Sequence, residues 1–155
     1  MIKRLVTTSL TVLYFTFMLC AQKADDVMGY WLNIDKETKE ADSQIQIFKD
    51  KDGTYAGKII WLKEPNENGK PKLDNENPNI NLKSQPILGI QLLNKFKFTG
   101  EIWEHGTIYD PKSGNTYKCK LWFDNNKTTV LHLKGFIGIS LIGREAIWIR
   151  EYKNR

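Results

Sequence analysis

From Val27 onward the chain never sustains a helical apolar period; short β-branched and aromatic runs alternate with clusters of Gly, Asn, Asp and Pro. That pattern restricts the fold to an all-β domain. Eight strands are predicted: Met28–Ile34, Gln44–Phe48, Thr54–Leu62, Ile87–Lys97, Glu101–Tyr109, Asn115–Phe123, Thr128–Gly135 and Arg144–Tyr152. Asp50-Lys51-Asp52-Gly53 and Asp124-Asn125-Asn126-Lys127 supply the left-handed backbone of tight hairpin turns, and Pro111 suits the first central position of another. Such links make neighbouring strands antiparallel. Eight of them in up-and-down order close into a barrel with no free edge. Parity then puts the links at 35–43, 63–86, 110–114 and 136–143 at one end, and the tight turns at 50–53, 98–100 and 124–127 at the other.

The first residues belong to a different category. Met1-Ile2-Lys3-Arg4 is a basic head, Leu5 to Leu19 is apolar and uncharged, and Ala21 is a small residue at the expected cut. A run of about 15 residues is too short to span a bilayer as a helix, so it reads as a signal peptide covering 1–21, with the domain at 22–155. The expected location is the periplasm or the exterior. Cys20 offers lipid acylation as an alternative, although Leu19 stands where such sites take a small residue. Once Cys20 leaves, Cys119 is the remaining cysteine, excludes an internal disulfide, and alternates in phase with Tyr117, Leu121 and Phe123 as a buried apolar residue.

The whole sequence carries a net charge of +5, and about +3 remains without Lys3 and Arg4. Its basic residues are scattered singly instead of forming a stripe, which argues against a nucleic-acid partner. Asp74-Asn75-Glu76-Asn77-Pro78-Asn79 offers oxygen ligands but lacks the glycine of an EF-hand loop, and turn-building explains it equally well. His105, His132 and one thiol fall short of a closed zinc site. Ser140, His105 or His132, and Asp110 form a catalytic triad only on paper, since no nucleophile-elbow spacing surrounds the serine. Glu101 and Glu104 read as surface carboxylates. Neither an enzyme nor a cofactor is expected from these patterns.

Lys63 to Gln85 is a long polar segment, expected to cross one end of the barrel as a lid or spacer. Tyr55, Gly57, Ile59 and Trp61 alternate on one strand, and Tyr117, Cys119, Leu121 and Phe123 on another, which predicts an interior lined by Tyr55, Trp61, Tyr117 and Phe123. Arg144 and Tyr109 are expected at the rim, with Asp110 or Glu64 as the ion-pair partner of Arg144.

Gly29-Tyr30-Trp31 resembles the Gly-x-Trp signature of lipocalins, whose tryptophan packs beneath the barrel against an arginine of the last strand; Arg150 stands in that place. More broadly, Asp26 to Trp31, Gly57 to Asn66, Gly106 to Cys119, Gly135 to Arg144 and Trp148-Ile149-Arg150 together resemble an exported bacterial family, domain of unknown function 2147. The resemblance implies a lipocalin-like barrel exported by a Gram-negative bacterium, and no catalytic residue transfers with it. Where an arginine-proline approach to the fourth strand is expected, the chain has Lys83-Ser84-Gln85-Pro86. The functional expectation is a small apolar or amphipathic ligand at the barrel mouth; the alternative is an envelope protein-interaction module with a filled barrel and an apolar docking loop at Phe136 to Ile142.

Overall fold

The computed structural model describes residues 22–35, 37–138 and 143–155. Residues 1–21, expected to be a signal peptide and including Cys20, and residues 139–142 of the apolar loop, including Ser140, therefore lie outside the described residues. Ten strands form: β1 Gly29–Ile34, β2 Ala41–Lys49, β3 Tyr55–Leu62, β4 Asn66–Glu67, β5 Lys70–Pro71, β6 Gln91–Phe98, β7 Ile102–Asp110, β8 Asn115–Trp122, β9 Val130–Phe136 and β10 Gly143–Glu151. Eight of them close a barrel in the order β1-β10-β9-β8-β7-β6-β3-β2, every adjacent pair antiparallel. That is the expected up-and-down barrel. No helix among the described residues is long and apolar enough to cross a membrane.

The long link between β3 and β6 departs from a plain loop. It carries its own hairpin, β4 with β5, and a bridge between Leu73 and Pro86. Backbone bonds from Ile87 N to Lys72 O and from Ile90 N to Ile87 O turn the chain back, so β6 begins at Gln91 instead of Ile87. The link is latched by Asp74, which is 1% exposed: Tyr109 Oη donates to its Oδ1 at 2.7 Å and Asn77 Nδ2 to its Oδ2 at 2.6 Å. A carboxylate removed from water needs such donors. The Asp74 to Asn79 stretch is thus a structural knot, with Asn79 in turn capping the short 3-10 turn at Ile80–Leu82.

The core sits at the closed end. Trp31, Phe96, Trp103, Leu93, Leu121 and Leu131 are fully buried, each contributing about 1.5 to 3 kcal/mol by leaving water. Phe123 joins Trp31 and Trp103, with ring centroids 5.8 and 5.3 Å away. Beneath them the 3-10 turn Ala24–Val27 plugs the barrel, accepting from Trp103 Nε1 at Ala24 O and from Trp31 Nε1 at Val27 O, both at 2.9 Å. The Arg150 guanidinium lies 4.2 Å from the Trp31 ring centroid and donates to the carbonyls of Thr128, Met28 and Asp26. The pairing read from the lipocalin-like signature is therefore present.

Local backbone irregularity follows from this filling. Gly106 is mandatory, because a Cβ there would lie 2.4 Å from the Phe96 ring. Facing it, β6 and β7 each hold one residue in left-handed backbone, Lys95 with φ 60° and His105 with φ 64°. These residues mark bulges that bend the wall around the ring.

Candidate functional site

The inward face changes character with height. Going up β9, Leu131 and Leu133 are buried, whereas Gly135 is half-buried; its strand partners Cys119 and Arg144 are buried and exposed respectively. Leu133 pairs with Ala146, and Ile108 pairs with Tyr117 and Leu93; Ala146, Ile108 and Tyr117 are all half-buried. Because cross-strand partners share a face, Ile108, Tyr117, Gly135, Ala146 and Arg144 lie together on the inward face at the open end, partly exposed above a filled floor. Gly135 has no side chain of its own and is covered by its neighbours: a Cβ there would lie 3.5 Å from Ile108 and 3.6 Å from Tyr117. Asn33 completes the wall, accepting from Trp148 Nε1 at 2.9 Å and donating to Asp42 Oδ1 at 2.7 Å.

The residues expected to form the site separate into four places. Tyr117 and Arg144 belong to this partly exposed inward face at the open end. Tyr55 and Phe123 face inward but lie in the closed-end floor, 2% and 6% exposed. Tyr55 Oη donates to Asp25 Oδ1, and burial followed by that bond pushes its phenol up from the ordinary value. Tyr109 stands at the open end but is committed to the Asp74 latch; burial, then the bond to Asp74, raises its phenol strongly.

Trp61 departs furthest from expectation. Ile45 pairs with Ile59 but Gln44 pairs with Trp61, so Ile60 is an extra residue on β3 and parity reverses beyond it. Trp61 consequently shares the outer face with Gln44 and Leu32, not the interior with Ile59. There it is covered by Arg155, whose guanidinium lies 4.9 Å from the indole and binds Glu151. Gln44 is fully buried under the same tail, donating to Lys153 O at 2.9 Å and accepting from Arg155 N at 3.1 Å.

The anticipated ion pair of Arg144 is also absent. Asp110 Oδ2 accepts from Ser113 Oγ at 2.7 Å, and Glu64 is 3.4 Å from Lys72, so both carboxylates are engaged elsewhere. Among the described residues Arg144 forms no hydrogen bond or ion pair. An exposed, unanswered guanidinium on the inward face can take a carboxylate or phosphate through its planar fork. Cys119, by contrast, is chemically quiet: burial pushes its thiol up to about 12.

Sequence reasoning missed Asn33 and Ala146 at the open end, and, although it placed the 63–86 link there, it did not find the role of Asp74 within it. The alternation Leu131, Leu133, Gly135 was readable as an inward face that shrinks upward. The latch was not readable, since nothing local in the long link tells Asp74 that it will meet Tyr109.

Among solved structures, one described as a protein from the human pathogen Helicobacter pylori that belongs to the lipocalin family is similar to this chain, with a TM-score of 0.67 and 20% identity over 81% of this chain and 82% of that one. At that identity the likeness establishes the fold: a lipocalin-like barrel. A search of curated proteins gives no match. The model of a family described as uncharacterized proteins conserved in bacteria, domain of unknown function 2147, matches residues 29–150, and the chain belongs to that family.

Proposed function

We propose that this chain is an exported binding protein that holds a small amphipathic molecule in the open end of its barrel. The observation that carries the reading is the change from buried to partly exposed inward residues at Ile108, Tyr117, Gly135 and Ala146, beside Arg144, whose side chain has no hydrogen-bond or ion-pair partner among the described residues. The floor is filled, so the apolar part of the ligand is short and lies against Ile108 and Tyr117, while Arg144 takes an anionic end. Concave barrel mouths with few polar groups are favoured ligand sites. Export, with residues 1–21 removed, belongs to the same proposal and rests on the basic head and apolar run.

Native mass spectrometry of the protein purified from its own cells, compared with the same sample denatured, tests the reading. A reproducible extra mass that disappears on denaturation, and that Arg144→Ala fails to retain, supports it. No extra mass in the native protein, with no saturable binding of amphipathic carboxylates at the mouth, rejects it. A second reading, an envelope interaction module, draws on the exposed Ile137 at the β9–β10 link and on Ile147 and Ile149 of the outer wall, 77%, 48% and 39% exposed. A stable protein partner in place of a small-molecule mass would favour it.

A further inference from the structure

A concavity of about 510 Å³ lies on the outer side of the barrel wall, along β7, β8 and β9. Its origin is the β7 bulge. Trp103 pairs with Leu121 and Gly106 with Cys119, so Glu104 and His105 together face the single residue Lys120. The extra residue interrupts the ladder and bends the strand, which opens the outer surface at that level. His105 accepts left-handed backbone to do so. Glu104 lies 3.2 Å from Lys120 Nζ and 3.8 Å from His105 Nε2, so the two bulge side chains share the groove's edge.

One row higher, Thr107, Lys118 and Phe136 are cross-strand partners on the outer face. Phe136 is only 9% exposed and gives the groove an apolar wall, continued by Gly138. The charges around it do not cancel. Glu104 is answered by Lys120, whereas Lys118 is exposed and forms no ion pair or hydrogen bond among the described residues. An apolar wall beside one unanswered ammonium and a threonine hydroxyl is complementary to a small ring-bearing anion.

We infer that this outer groove is a binding site for a small aromatic carboxylate, its ring against Phe136 and its carboxylate on Lys118 with Thr107 Oγ1 as a second donor. The site is independent of the barrel mouth, because Lys118 and Arg144 stand on opposite faces of the wall.

The test is a titration of the folded, isotopically labelled chain with 2-naphthoate, followed by amide chemical shifts. Saturable shifts confined to residues 104–107, 118–120 and 136–138 are expected. Lys118→Glu should weaken binding by about tenfold or more, while Lys127→Glu, a remote charge reversal of the same size, should leave it unchanged. Shifts centred instead on Ile108, Tyr117 and Ala146, no saturation, or equal losses from the two reversals would each overturn the assignment.

Discussion

Arg150 and Arg144 lie on the same strand and face inward at opposite ends, yet their situations are opposite. Three Arg150 donors reach backbone carbonyls and its plane covers Trp31, while burial holds the guanidinium below its ordinary value. Removing it leaves partly buried carbonyls unpaired and uncovers the Trp31 ring, so Arg150→Ala should cost about 1 to 3 kcal/mol in urea denaturation. Arg144→Ala should change stability by less than about 0.5 kcal/mol in the same measurement, because no side-chain hydrogen bond or ion pair among the described residues is lost. Equal losses from the two would mean that Arg144 is structural after all. Gly29-Tyr30-Trp31 and Arg150 were legible because both signals are local and sit at strand ends. The solitude of Arg144 was not, since it depends on Asp110 and Glu64 finding partners within their own links.

The eight barrel strands, their order and their direction were written in the alternation and the turn residues, whereas the β4–β5 hairpin was not, and β2 begins at Ala41 instead of Gln44 and β6 at Gln91 instead of Ile87. What alternation does not reveal is a bulge. One extra residue at Ile60 moved Trp61 from the predicted interior to the outer wall, and another at Glu104–His105 produced the outer groove. Local composition is nearly indifferent to such insertions, because the neighbouring strand decides which residue is left unpaired. The long link obeys a similar logic, being fixed by one distant contact. Tyr109→Phe removes a donor from the buried Asp74 and should lower stability by about 1 to 3 kcal/mol. Hydrogen exchange should then accelerate at the Asp74 and Asn77 amides, whose bonds run to Gln85 O and Asp74 O. Unchanged exchange would show that the β4–β5 hairpin holds the link by itself.

At the scale of the whole barrel, the filled floor makes stability depend on alkaline pH through Cys119. Its folded value is about 12, whereas an unfolded thiol ionises near about 8.5. The folded state therefore keeps a proton that the unfolded state loses, so the contribution of Cys119 is fully present below about pH 8.5 and falls as pH rises toward 12. Cys119→Ala should flatten that slope in denaturation midpoints measured up to pH 10; an unchanged slope would place the thiol in contact with water. A further consequence follows from the seam where β1 meets β10. Arg150 reaches across to Met28, 122 positions earlier in the chain, so the hoop cannot shut until almost the entire polypeptide has been delivered. Folding of this chain is accordingly expected to be limited by one long-range closure. A polypeptide threaded through a membrane pore from its N-terminus would stay open, and translocatable, until its last strand had passed.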